Sequence, residues 1–314
     1  MAVFLHSISG VLIILVMIAI GYWLNERGWF DEQAASLMTK LVTQLALPAY
    51  MIYTIMARFS AKELLEMLPQ LHFPALSMVI LLGIAAATAQ LFAVDRKHRG
   101  LFISMFFNSN TVFVGLPINQ ALFGDKSIPY VLVYYMCNTT FFWTIGTYLI
   151  QKDGQKTANI DWRSSLRKIF SPPLLGFILG VLLVVFKVKL PDFLMSDLQY
   201  IGNLTIPLSM LFIGLTVSRA GLSQLALKKD HMLILFGRFV ISPLLMTLIV
   251  WQANLPHLMK EVFIIQSAMP VMTNAPIIAR MYDVDTDYAA VMVTETTLLT
   301  MLVVPILTFL VSTI

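Results

Sequence analysis

Apolar runs of about twenty residues dominate this chain, and that is the length a helix needs to cross a bilayer. The runs fall near 3–24, 34–57, 70–93, 100–123, 128–150, 172–188, 196–218, 231–252, 258–281 and 287–312, with short polar clusters between them. The pattern predicts an all-α integral membrane protein of ten transmembrane helices. The polar stretch 151–171 carries Lys152, Lys156, Arg163, Arg167 and Lys168 and is too short for a domain. It reads as a cytoplasmic linker between a first five-helix unit, 1–150, and a second, 172–314.

The two units resemble each other. An offset of 159 residues aligns Gly21 with Gly180, Leu47-Pro48 with Ile206-Pro207, Met51 with Met210, and Pro117-Ile118 with Pro276-Ile277. Five helices is an odd number, so the second unit enters the bilayer upside down relative to the first. Inverted repeats of this kind are typical of secondary transporters, whose solute site lies near mid-membrane where the repeats meet.

Composition agrees with the pattern, since 58% of the 314 residues are hydrophobic and only 12% are charged. A soluble domain needs far more polar surface. The net charge of +4 comes from Lys and Arg that cluster in loops, a topology signal rather than an affinity for nucleic acid. Their bias to the loops after odd-numbered helices puts those loops in the cytoplasm and both termini outside a cell membrane. Cys137 is the only cysteine, so no intramolecular disulfide forms. The run Val3 to Leu24 lacks a basic start and a cleavage site and reads as a retained first helix.

The fourth and ninth helices are the least regular. The fourth contains Asn108, Asn110, Thr111, Gly115 and Pro117; the ninth contains Pro270, Asn274 and Pro276. Mid-helix proline removes a hydrogen bond, and glycine loosens the turn beside it. The freed polar groups cannot face lipid, so they must line protein or a watery cavity. A broken helix also aims an amino-terminal half-dipole into the membrane, which suits an anion.

The run Asn110-Thr111 through Gly115-Leu116-Pro117 to Phe123-Gly124, with Ala268-Met269-Pro270 and Ala279-Arg280-Met281-Tyr282, resembles the auxin efflux carrier family. That family includes plant PIN-formed auxin exporters and bacterial permeases for malate and malonate. The resemblance extends over essentially the whole chain, including Leu47-Pro48. It implies a scaffold of helices 1, 2, 6 and 7 and a mobile unit of helices 3–5 and 8–10. Broken helices 4 and 9 then cross at prolines beside an organic-anion site, and the scaffold forms a homodimer. Asn110, Pro117 and Pro270 match family motif positions, and Asn138 corresponds to a polar patch. Two prolines in helix 9 leave the crossing at Pro270 or Pro276, and the long cytoplasmic loop of many plant members is absent.

Arg238 and Glu295 each lie about eight residues into helices that begin on the cytoplasmic side, so at about 1.5 Å per residue they reach similar depth. We expect them to pair, either as a fixed salt bridge or with a role in coupling or solute contact. Trp23, Trp29, Tyr53 and Trp251 read as interfacial anchors. The five histidines are scattered near helix ends, which argues against a metal site, and no cofactor is expected. No phosphate-binding loop of an ATP-driven pump appears.

The sequence therefore predicts no enzyme but a secondary transporter or facilitator of a small mono- or dicarboxylate, malate-like first. Asn108, Asn110, Thr111, Asn138 and Asn274 would bind the solute, with a proton or sodium as a possible coupling ion. An inorganic-ion exchanger on the same fold is the alternative. It would want acidic residues in the broken segments, which have none.

Overall fold

The computed structural model describes residues 2–154, 163, 166, 170–220 and 228–311, and every regular element among them is helical. Lys156, Arg167 and Lys168 of the expected linker lie outside the described residues. The first helix, α1 (Ala2–Glu26), closes before Gly28, whose φ of 74° disfavours a residue with a Cβ. Asp31 caps α2 (Glu32–Lys40) by accepting the Ala34 N–H at 2.7 Å. A π-helical turn over Leu41–Ala46 leads into α3 (Leu47–Arg58). Ser60 and Glu63 cap α4 (Ala61–Met67) reciprocally, and α5 (His72–Leu91) follows.

Next come α6 (Arg99–Phe107), a π-turn at Thr111–Gly115 and α7 (Leu116–Phe123). Then α8 (Ile128–Phe141) passes through a π-turn at Phe142–Gly146 into α9 (Thr147–Asp153). Beyond the linker lie α10 (Pro172–Val185), α11 (Asp192–Gly202) and α12 (Thr205–Ala220). The chain continues as α13 (Lys229–Phe236), a π-turn at Gly237–Ile241 and α14 (Ser242–Val250). It ends with α15 (His257–Ser267), α16 (Ala275–Met281) and α17 (Thr286–Val311).

Several runs that read as single helices are therefore divided. Those at 34–57, 128–150 and 231–252 each contain a π-turn, and 196–218 is interrupted between α11 and α12. One extra residue in a turn leaves no mark on an all-apolar pattern, so the division is invisible to hydropathy.

Among the described residues, five helical stretches are long and apolar enough to cross a membrane: 61–91, 99–123, 192–219, 229–250 and 286–311. Leu12–Glu26 and Pro172–Val185 are shorter apolar helices. Large apolar side chains stand exposed in rows, such as Leu302, Ile306 and Leu310 on α17. Such a row is costly in water and is the ordinary outer face of a helix in lipid. The stretch Arg99–Phe123 is the opposite case, with its whole apolar window buried inside the protein. That burial is what its irregular backbone requires, because unpaired peptide groups cannot face hydrocarbon.

Two close helix pairs frame the molecule. α1 packs on α12 with Gly21 against the Leu211 backbone, where a Cβ would overlap it. α10 packs on α3 with Gly176 against Pro48 and Gly180 against Ile52 and Ile55. Trp23, Trp29 and Trp251 are exposed near helix ends, and Arg27 lies over the Trp23 ring at 5.0 Å.

Candidate functional site

The backbone leaves helical form twice in the interior. α6 stops at Phe107, and Asn108-Ser109-Asn110 run unwound into the π-turn that opens α7. α15 stops at Ser267, and the chain stays irregular until α16 begins at Ala275. The two breaks touch where the Asn110 N–H donates to the Pro270 carbonyl at 2.8 Å. The contact thus falls at Pro270 rather than Pro276. Pro117 is not at the contact either; the fourth-helix residue there is Asn110. Pro276 lies in the first turn of the second half-helix, α16, where proline's missing N–H costs nothing, whereas Pro117 follows directly on the π-turn at Thr111–Gly115.

Side chains hold the unwound backbone in place. Asn138 of α8 donates through Nδ2 to the Ser109 carbonyl at 2.7 Å and accepts the Ser109 N–H at 2.9 Å. Asn108 turns back to donate to the Ser104 carbonyl at 3.2 Å. Asn110 caps its own π-turn, its Oδ1 accepting the Phe113 N–H at 3.2 Å. Gly115 lies flat against Gln266, whose Nε2 donates to the Thr111 carbonyl at 3.3 Å. Across the other break, the Val271 N–H donates to the Thr296 hydroxyl of α17 at 3.0 Å.

A cleft of about 270 Å³ opens at the crossing. From the breaks it is lined by Asn110, Thr111, Thr273 and Asn274. Thr43 and Gln44 approach from the first π-turn, and Tyr135, Thr139 and Trp143 from α8 and its π-turn. Ser171 closes one edge, its hydroxyl 2.8 Å from that of Tyr135. Among the described residues, no charged side chain lines the cleft. The Asn110 Nδ2 is buried without a hydrogen-bond partner among those residues. Asn108 and Asn138 are not in the lining, and the bonds just described turn their amides to the backbone of the break.

Thr43, Gln44, Tyr135, Thr139, Trp143, Ser171 and Thr273 escaped the sequence reading. A weak signal existed for two of them: Tyr135 and Thr139 are four residues apart, so they share a face of α8.

Beneath the crossing, Arg238 is fully buried. Its Nη1 donates to the Phe106 carbonyl at 3.2 Å and its Nη2 to the Ser267 carbonyl at 2.6 Å. Nε and Nη2 both reach the Met269 carbonyl, at 3.1 and 2.8 Å. These oxygens belong to the ends of α6 and α15 and to the second break. One guanidinium thus caps the negative ends of both first half-helices.

The expected Arg238–Glu295 pair is corrected by this arrangement. Glu295 meets His231 instead, with both carboxylate oxygens about 3 Å from the imidazole Nδ1 (3.1 and 3.0 Å). Position along a helix says nothing about which way each helix face turns, and all the Arg238 bonds run to backbone carbonyls. Nor are the histidines all scattered: His98 and His231 flank the ring of Tyr288 at 4.6 and 5.2 Å.

Two broken helices packed inside a helical shell, with an uncharged polar cleft at their contact, fit the interior of a membrane protein. The chain matches the family described as membrane transport protein over residues 6–308. It is 26% identical to an uncharacterized transporter of Methanocaldococcus jannaschii, over 94% of this chain and 95% of that one. An uncharacterized transporter of Methanothermobacter thermautotrophicus is 27% identical over 97% and 98% of the two chains. The uncharacterized transporter YfdV of Escherichia coli K12 is 22% identical over 89% of each. The chain belongs to this membrane transport family, the auxin efflux carriers that its motifs resemble.

Proposed function

We propose that the chain is a secondary transporter or facilitator of a small organic anion, a mono- or dicarboxylate with malate as first candidate. The observation that carries this reading is Arg238. In a broken-helix crossing, carbonyl ends attract cations and amide ends attract anions. Here the carbonyl ends of both first halves already hold a buried guanidinium. The cleft keeps the amino end of the Thr111–Phe123 half, the side-chain amides of Asn110 and Asn274, and the Thr111 hydroxyl. A carboxylate matches these donors, whereas an inorganic cation finds its natural ligands taken.

In the same proposal, ten membrane spans form two inverted repeats. The 159-residue offset carries Gly21 to Gly180 and Ile52 to Leu211, and the contact of Gly21 with Leu211 recurs as that of Gly180 with Ile52. This supports a scaffold of α1–α3 and α10–α12, dimeric in a cell membrane with outward termini. The other helices would slide against it as an elevator. Arg58 of α3 meets Asp125 beyond α7 at 3.3 Å, a contact that such a stroke has to break.

The test is a melting screen of the purified protein against organic acids and sodium, since a ligand that binds only the folded state raises the melting temperature. Malate or a close relative should raise it, and Asn110→Ala should abolish the shift. A large sodium shift with none from any carboxylate overturns the reading.

A further inference from the structure

A second polar centre lies away from the crossing, where the start of α6, the start of α13 and the first turns of α17 meet. His231 and Glu295 are both buried there, joined through Nδ1 at 3.0 Å. The Tyr288 ring separates His231 from His98. His98 reaches Asp230 through Nε2 at 3.2 Å and faces Asp285 through Nδ1 at 3.6 Å. His231, His98 and Tyr288 all border a cleft of about 300 Å³. Lys228, Asp230, Asp285 and Asp287 form its charged rim. Arg99 and Asp153 stand near His98 on the far side. The Tyr288 hydroxyl is buried without a hydrogen-bond partner among the described residues.

We propose that His231 and Glu295 form a proton-binding site, loaded from the acid-rimmed cleft at His98 and Asp230. One proton held between imidazole and carboxylate makes the pair neutral overall. Removing it gives the pair a net negative charge and adding a second a net positive one, and a charged pair is costlier to bury than a neutral one. Exchange of that proton takes place where His231 meets the cleft. The three rim carboxylates collect protons, and the unpartnered Tyr288 hydroxyl is available to a water between the two imidazoles. A metal ion fits less well, because no group of three metal-ligating side chains converges among the described residues.

The site also has a short path to the crossing. Glu295 is followed by Thr296, whose hydroxyl accepts the Val271 N–H of the second break. On α13 and its π-turn, Arg238 lies seven residues beyond His231 and holds both half-helix ends. Coupling of the proton to solute movement rests on the transport reading; proton binding itself does not.

The experiment melts the full-length protein in detergent, without organic acid, from about pH 5 to about pH 8.5, a span covering the ordinary Glu and His ranges. The double variant H231Q/E295Q removes both charges, which a buried site tolerates better than losing one. The melting-temperature gap between wild type and double variant should change with pH, while the gap to H72Q, at an exposed histidine whose Nδ1 meets only the Pro69 carbonyl oxygen, stays flat. Glu295→Asp, which keeps the carboxylate, should retain the pH dependence and gives a second readout if the double variant does not fold. A double variant or Glu295→Asp profile in which pH dependence does not follow the carboxylate overturns the proposal. In vesicles loaded with a pH-sensitive dye, a malate gradient should move protons with the wild type but not with the double variant. Loss of the melting profile without any malate movement supports the proton site and counts against the carboxylate reading alone.

Discussion

Replacing Arg238 tests both the fold of the crossing and its preference for anions. Arg238→Met keeps the length of the side chain but takes the guanidinium from the Phe106 and Met269 carbonyls and leaves the Ser267 carbonyl with the Ser242 hydroxyl alone. Each buried group left unmade costs about 1–3 kcal/mol, and partial relaxation brings the total to roughly 3–5 kcal/mol. Against a native stability of about 5–15 kcal/mol, that loss should appear as a large drop in melting temperature. Arg238→Lys keeps the charge but not the planar fork that serves three carbonyls, so its cost should be smaller, about 1–2 kcal/mol. The two variants separate charge from scaffolding. Each half-helix end carries about half an elementary charge. With the cation gone, two such ends should weaken a bound carboxylate by roughly 1.4 kcal/mol, or about tenfold in Kd. The assay is malate-dependent melting of wild type and both variants at one pH. If Arg238→Met binds malate as tightly as wild type, the argument from charge is wrong.

Other outcomes follow from the same contacts. Gly115→Ala puts a methyl group into the Gln266 side chain and should cost about 1–3 kcal/mol, read as a lower melting temperature. Adding Gln266→Ala to it should recover part of that loss. Asn138→Asp still accepts the Ser109 N–H but sets an oxygen against the Ser109 carbonyl, and should destabilise by about 2–3 kcal/mol in denaturant or heat. At the loop before α6, the Lys97 N–H holds the Asp95 carboxyl below its usual range, with lesser help from His98 and Lys97 charges. Because the folded value is the lower one, the Asp95 contribution is present above its ordinary 3.8 and lost as pH falls through the folded value. Asp95→Asn keeps the acceptor without titrating, so its melting curve should lack this acid-side component.

The breaks were legible in sequence because proline, glycine and asparagine inside apolar runs conflict with an unbroken helix, and the conflict shows without tertiary information. The family motifs added Pro270, which is where the second break meets Asn110. What the sequence did not show is direction. Asn138 and Asn110 look equally suited to a solute, yet Asn138 is turned onto Ser109 while Asn110 borders the cleft. Arg238 and Glu295 stand equally far along their apolar runs but face different neighbours. His98 and His231 come from loops and helix ends more than a hundred residues apart, and only the packing of α6, α13 and α17 brings them to Tyr288.

The π-turns explain much of that missing direction. Four appear among the described residues, and each supplies something to the crossing. Leu41–Ala46 presents Thr43 and Gln44 to the cleft, Thr111–Gly115 presents Thr111, and Phe142–Gly146 presents Trp143. Gly237–Ile241 carries Arg238 beneath it. An inserted residue widens the turn and re-aims every side chain after it, so a face predicted by the ordinary helical period is wrong from that point on. A helix surrounded by lipid gains nothing from such a turn, since it weakens regular hydrogen bonding without a partner to gain. The stretches 34–57, 128–150 and 231–250, otherwise uninterrupted by unwound segments, each nevertheless carry one of these turns. Three of the four turns put side chains into one polar cleft, which is hard to explain as packing defects. Under the transport reading, they are what gathers Asn, Thr, Gln and Tyr side chains into one cleft inside an apolar protein, with a buried guanidinium beneath it.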